Sequence, residues 1–548
     1  MIQYQGVRTL WNTGARVNEH DDQQLGVVTD GSFSAGLTVR LNGGAGEDLQ
    51  VGSFVVLEGN GRRYFSLIND LQLRATDPGI ISDPPVHSPF IRAALSGIHT
   101  YTAAMVRPSL VIDNADSIIG DAKPRAVRTI PTHFAEMRRA REEDFDLVFG
   151  AEGDDLFAVG SPIAMDGVNV TIDLKKLVER PSGIFGQTGT GKSVLTRLIL
   201  FGIIRSDIAS ALVFDMHDEY ADEKHDKPGI PGLRDLFDST RVKVFSLDDR
   251  SRAGYTIKIG MNQIEPADIE LLRDELNLND TFSSTTFLLH RQYGEKWLSK
   301  LLTMDADETA EFVAASGAHQ GAVEALKRKL AYLEERPFIL PISSTDPVRE
   351  IVLHLQQGRH VIVQFGRYHD LRDYMLVTNL LSRRIHQEYT ERAQAREIQP
   401  GIGSERPVTI VLEEAHKFLS PSAARQSIFG TIAREMRKFG VSLMVVDQRP
   451  SQIDSEVMSQ LATRISGLLT DENDISAVLS GTGDRSALRS MLASLEPSQQ
   501  CLVVGHAIPM PMVVRTRAYS RALTATANGK RPDQSLGLSV LLGGRRDD

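Results

Sequence analysis

The feature that most constrains this chain is an eight-residue run, Gly186-Gln187-Thr188-Gly189-Thr190-Gly191-Lys192-Ser193, which fits G-x-x-x-x-G-K-S. Its glycines let the backbone curl so that successive N–H groups converge on phosphate oxygens. Lys192 is placed to reach the β- and γ-phosphates, and the Ser193 hydroxyl to ligate Mg²⁺. The flanks matter more than the pattern. Residues 182–185 are a short apolar run ending at the loop, as a buried strand does. From Val194 onward the chain is helix-compatible, so the loop opens onto a helix N-terminus, where anions bind. The bland alternative is a Gly-rich turn between two core elements. A nucleotide triphosphate site spanning Gly186 to Val194, with ATP and Mg²⁺ as its occupants, is the expectation.

A chain of 548 residues is too long for one core, and two to four domains are expected. The net charge of −10 means that a nucleic-acid partner needs a local basic surface, because the global field opposes it. Cys501 is the sole cysteine, which excludes a disulfide framework and a thiolate metal site. Residues 1–6 lack a basic region followed by an apolar one, so no signal peptide is expected. The most apolar helical stretch, 195–204, is too short to span a bilayer and carries Arg197. A cytoplasmic protein is the default.

Residues 1–155 read as short strands separated by turns such as Asp30-Gly31 and Gly59-Asn60-Gly61, which suggests a small β-barrel serving assembly or docking. Within this region 77–89 reads as a loop and 135–143 as a charged helix. Residues 156–520 read as an α/β core with a parallel sheet. Apolar runs at 183, 211, 360, 408, 442 and 464 alternate with helical patterns, and runs near 501 and 512 look like a closing hairpin. About 262–345 the pattern turns helical, as an insertion. Residues 521–548 read as a mobile tail.

Phosphoryl transfer needs a metal ligand, a group that orients water, and positive charge near the transition state. Glu413 and Glu414 end the apolar run Val408-Thr409-Ile410-Val411-Leu412. Paired acids there can divide the work, Glu413 holding the Mg²⁺ shell and Glu414 polarising water. They also suit a helix N-terminus. Asp215, after Ala211-Leu212-Val213-Phe214, is a secondary candidate that reads equally as a strand-end turn acid. Gln448, after the run at 442, is placed to sense the γ-phosphate, or is a loop amide. Arg434 and Arg437 are candidates for an arginine finger offered to a neighbouring subunit, Arg437 preferred, or are part of an exposed basic face. Arg425, in the loop 420–426, and His290-Arg291-Gln292 are candidate DNA contacts, or solvated surface.

Four segments together resemble the HerA family of the HerA/FtsK ATPases: the loop at Gly186, Asp215-Met216-His217-Asp218-Glu219-Tyr220, Val411-Leu412-Glu413-Glu414-Ala415-His416, and Asp447-Gln448-Arg449-Pro450-Ser451. His416 enters as a secondary site candidate through this match. The resemblance covers nearly the whole chain. It implies a RecA-like P-loop ATPase core with a helical insertion behind a HAS-barrel-like domain. It further implies a homohexameric ring that translocates on double-stranded DNA with a nuclease partner, usually NurA-like, in DNA end processing or antiphage defence. The alternative is a hexameric platform, stabilised by ATP, that assembles and activates an effector, a nuclease or an NAD-consuming enzyme, without needing translocation. Met436 stands where many relatives carry glycine.

Overall fold

The structure, a computed structural model, describes residues 24–526 apart from 44, 46–48, 86–87, 97, 114–122, 164, 166, 225–228, 252, 279–280, 344–345, 399–405, 426, 436–438 and 483–484. The chain divides into two compact units, 1–148 and 149–548.

In the first unit the strands are β1 (Gly26–Ser32), β2 (Gly36–Leu41), β3 (Phe54–Gly59), β4 (Arg62–Ala75), β5 (Thr100–Asp113), β6 (Arg125–Ala126) and β7 (Glu136–Arg139). Six of them run in the order β2-β1-β7-β3-β4-β5, and β5 pairs back onto β2 to close an antiparallel barrel. Closure removes the exposed edges that open sheets carry. Val39, Val55, Leu57, Ile68, Ala104 and Met137 fill the interior.

Two expectations are corrected here. Residues 136–139 form a strand, and the helix begins only at Glu142. Charge suggests a helix, but Met137 is buried between exposed Glu136 and half-buried Arg138, whose side chains point to the other face, a period of two. Arg138 then pairs with Glu58 at 2.8 Å and with buried Asp144 at 2.6 Å. Residues 77–89 hold the helix Pro78–Ser82, and Pro89 opens the helix Pro89–Leu95. Asp77-Pro78 and Ser88-Pro89 are cap-plus-proline helix starts as well as turn signals, and each cap side chain accepts a backbone N–H.

The second unit is built on one twelve-stranded sheet. Its strands are β8 (Leu156–Pro162), β9 (Val170–Asp173), β10 (Ser182–Phe185), β11 (Ser210–Asp215), β12 (Val242–Ser246), β13 (Tyr255–Thr256), β16 (His360–Gln364), β17 (Val408–Glu413), β18 (Val441–Asp447), β19 (Thr463–Ser466), β20 (Gln500–Gly505) and β21 (Met512–Thr516). The order is β13-β12-β16-β11-β17-β18-β10-β19-β20-β21-β8-β9. Pairing is parallel from β13 to β19 and antiparallel from β20 to β9. β10, β11, β16, β17 and β18 are buried along their whole length, as their unbroken apolar runs require.

The short parallel pair β14 (Ile259–Gly260) and β15 (Ile339–Leu340) brackets a helical segment. Its helices include Thr281–Tyr293, Trp297–Thr303, Ala306–Ser316 and Gln320–Leu330. It is not a separate body, because Trp297, Leu301, Phe312 and Leu326 join the same core as Leu212, Phe214 and Val363. Buried Asp268, at the start of the segment, ion-pairs with Arg383 at 2.8 Å and accepts from Asn379 at 3.0 Å. Both partners lie on the long helix Leu371–Ile398.

Residues 521–526, expected to begin the tail, form a 3-10 turn in which Arg521 pairs with Glu223; 527–548 lie outside the described residues. Among the described residues no helix is long and apolar enough to cross a membrane.

Candidate nucleotide-hydrolysis site

Parallel pairing sets the site. β10 lies between β18 and β19, and β18, β17 and β11 are successive neighbours. The C-terminal ends of β10, β18, β17 and β11 therefore put Gly186, Asp447 with Gln448, Glu413 with Glu414, and Asp215 along one edge of the sheet. Ligands of parallel α/β sheets bind at this edge.

The loop from Gly186 leads into the helix Lys192–Ser206. The N-cap is Gly191, and no side chain caps the first turn, so its N–H groups remain for an anion. Gly189 and Gly191 have φ of 85° and 82°, and a Cβ on either would meet nothing within 4 Å. The backbone is left-handed there, and it faces open space of the kind phosphate oxygens fill. The loop is pinned from outside the ligand face. The Thr190 hydroxyl donates to the Gln187 carbonyl at 2.7 Å, and the Gln187 amide donates to Thr470. Beside Gly191 and Lys192 opens a cavity of ≈ 360 Å³, with Phe185, Leu195, Gln499, Thr516, Arg517 and Tyr519 among its walls.

Glu413 is buried at the end of β17. Its Oε1 accepts from the Tyr220 hydroxyl at 2.6 Å, and its main-chain carbonyl from the Tyr374 hydroxyl at 2.9 Å. Its Oε2 is buried with no hydrogen-bond partner. Burial pushes the Glu413 carboxyl up, Asp215 adds repulsion, and the Tyr220 hydroxyl and Lys192 oppose the rise. Burial also raises Asp215, against the two N–H bonds it accepts from Tyr220 and Glu219. Ser193 donates its hydroxyl to Glu219.

The next residue, Glu414, sits at φ +47°. A non-glycine residue in this region stores strain, and such positions cluster at functional sites. Glu414 Oε1 lies 3.4 Å from the Gln448 amide nitrogen, and its Oε2 lies 3.6 Å from His416 Nδ1. Gln448 also accepts from the Thr188 hydroxyl at 2.7 Å, so it bridges the phosphate loop and the second acid. His416 is held by Asp447, which accepts its backbone N–H at 2.6 Å and lies 3.0 Å from Nδ1. Burial disfavours the Asp447 charge, but the His416 ring and the N–H groups of Arg449 and His416 more than offset it. They hold the carboxyl below its ordinary value.

The structure thus brings together Lys192, Ser193, Thr188, Asp215, Glu413, Glu414, His416 and Gln448. Arg434 is exposed on the last turn of the helix Ile428–Glu435, and Arg425 is exposed on a 3-10 turn. Arg437 lies outside the described residues. His290 is half-buried, and Arg291 and Gln292 are exposed, on the helix Thr281–Tyr293.

Four residues of the site escaped the sequence reading. Glu219 and Tyr220 lay in a quoted motif, where an acid and a tyrosine spaced four and five residues past Asp215 were the available signal. Asp447 was visible as the acid before Gln448. Tyr374 carries no local signal, because only the fold brings it to Glu413.

A family model described as "Helicase HerA, central domain" matches residues 157–385. The DNA double-strand break repair helicase HerA of Pyrococcus furiosus is 22% identical over 425 residues, 73% of this chain and 76% of the relative. That of Sulfolobus acidocaldarius is 26% identical over 403 residues, 72% and 75%. The bacterial conjugative coupling protein TrwB, in a sulphate-bound trigonal form, superposes with a TM-score of 0.46 at 12% identity, covering 70% of this chain and 94% of its own. The family model spans the phosphate loop, and the matches to these two relatives cover more than 70% of the chain, so the chain is similar to the HerA helicases over most of its length.

Proposed function

We propose that this protein is an ATP hydrolase that drives movement along double-stranded DNA, working as a homohexameric ring with a nuclease-type partner in DNA end processing or antiphage defence. The observation that carries the reading is the meeting, at one sheet edge, of an uncapped phosphate loop with two acids of different environment. Glu413 is buried and gripped; Glu414 is half-buried, strained and in reach of Gln448.

ATP is the substrate. The loop N–H groups from Gly186 to Val194 and the Lys192 ammonium bind its phosphates, and the adjoining cavity takes the nucleoside. The residues also fit Mg²⁺. The available donors are hard oxygens, the Ser193 hydroxyl and the unpartnered Glu413 Oε2. Among the described residues no cluster of three or more His, Cys, Asp or Glu could hold a metal alone, which suits an ion that takes most of its ligands from phosphate and water. When bound, Mg²⁺ neutralises developing phosphate charge. Glu414 orients and polarises the attacking water. Gln448, hydrogen-bonded to both Thr188 and Glu414, reports γ-phosphate occupancy to the second acid. His416 holds Asp447 and Glu414 in register. Arg434 or Arg437 serves the neighbouring subunit's site as a finger, a role that the exposure of Arg434 suits.

DNA phosphates are met locally, with Arg425 and the His290–Gln292 surface as candidates, since the whole chain is acidic. A second reading gives the ring a platform role for an effector protein. It draws on large apolar side chains exposed on the barrel unit, Leu73 at 88% and Phe90 at 82%. Displacement of a third strand from a triplex on linear duplex separates the two. The motor strips the strand only with hydrolysable ATP, whereas a platform leaves the triplex intact.

A further inference from the structure

We propose that the turn from Asp215 to Tyr220 is the positioning device for the metal side of the site, with Glu219 setting the Ser193 hydroxyl and Tyr220 selecting which oxygen of Glu413 is presented. The inference rests on the nucleotide-site reading above and assigns roles to three residues that reading leaves unused.

Asp215 is fully buried, and both its oxygens are engaged. Oδ1 accepts the Glu219 N–H at 2.7 Å and Oδ2 the Tyr220 N–H at 2.9 Å. It therefore ties the turn rather than facing a ligand. The turn is also stapled to the helix behind the phosphate loop. The Arg197 guanidinium donates to the Glu219 carbonyl, and Ser193 donates to the Glu219 side chain. Three consecutive links thus fix Glu219 against the residue that would ligate Mg²⁺.

Tyr220 acts on the other ligand. It is fully buried, so packing alone would be served by phenylalanine. A hydroxyl in such a place costs free energy unless it meets an acceptor. Its acceptor is Glu413 Oε1, at 2.6 Å. With that oxygen occupied and the carbonyl of Glu413 held by Tyr374, the carboxylate cannot rotate without breaking a buried bond. Oε2 is left as the one oxygen without a partner. One turn therefore sets ligands on two different elements, the phosphate-loop helix and β17. Outer partners of this kind tune metal ligands without touching the metal.

The test uses the full-length protein and its Tyr220→Phe and Glu219→Gln variants. Equilibrium affinity for a fluorescent ADP analogue is measured with and without Mg²⁺, beside the melting temperature. For Tyr220→Phe the affinity without Mg²⁺ stays within about twofold of wild type, while the gain on adding Mg²⁺ shrinks by roughly 10- to 100-fold. The Mg²⁺ concentration for half-maximal hydrolysis rises to match. Glu219→Gln, a half-buried and near-isosteric change, gives the same signature and covers the case in which Tyr220→Phe does not fold. A folded variant pair whose Mg²⁺-dependent gain equals that of wild type overturns the inference while leaving the nucleotide site standing. A wild-type protein that binds no ADP under either condition overturns the nucleotide-site reading, and the inference with it.

Discussion

Glu414→Gln lowers ATP hydrolysis by about 10²- to 10⁴-fold, the range a positioned general base supplies, and leaves ATP bound. The substitution keeps the shape of the side chain and its reach to Gln448 and His416, and removes only the charge that the proposed role in polarising water requires. The backbone makes the case sharper. Glu414 holds φ +47°, a conformation that costs a non-glycine residue about 1–2 kcal/mol. Nothing in packing demands that cost, because the side chain is half-buried and its neighbours are polar. Glu414→Gly relieves the strain and gives back about 0.5–1 kcal/mol through unfolded-chain entropy. That variant is therefore expected to be at least as stable as wild type and equally inactive. A Glu414→Gly protein that loses several kcal/mol by denaturant titration would show that the acid is held for structure.

Lys192→Ala removes the one ammonium in the phosphate loop and is expected to cost 10²- to 10³-fold in hydrolysis, roughly the loss on deleting a single preorganised donor. It should also erase the rise in melting temperature that MgATP gives the wild-type protein, since a ligand stabilises only the fold that binds it. Lys192 is the first residue of its helix, and alanine is the best helix former, so the ligand-free stability stays within about 0.5 kcal/mol. The two variants fail differently. Glu414→Gln keeps the ATP-dependent thermal shift and loses turnover; Lys192→Ala loses both.

Much of the second unit was legible because parallel strands are unbroken apolar runs. Those at 211, 360, 408 and 442 are β11, β16, β17 and β18, and the phosphate loop announced its own strand and helix. Strand order was not legible. No local pattern says that β10 inserts between β18 and β19, yet that insertion puts Gln448 between Thr188 and Glu414. The barrel was legible from its turns, but β7 was not. Its Arg138 is satisfied by Glu58, distant in sequence, and by Asp144 on the following helix, and only tertiary pairing makes a strand of this charged segment. The site divides in the same way. Residues whose chemistry shows in a motif, Lys192, Ser193, Glu413 and Glu414, could be named from the chain. Those that act through geometry could not. Asp215 reads equally as a secondary site acid and as a strand-end turn acid, and only the fold shows both its oxygens on backbone N–H groups. Tyr374 reaches Glu413 from a helix about forty residues away whose only visible signature is apolar spacing.

The most direct test of the central claim is the steady-state rate of ATP hydrolysis by the purified protein with and without linear double-stranded DNA, beside Glu414→Gln. A motor gives a rate that rises on adding duplex, falls away with increasing salt as phosphate contacts are screened, and vanishes in the variant. A rate indifferent to duplex at every salt concentration, with the variant still inactive, would contradict the motor and leave an ATPase whose work is done on something other than DNA.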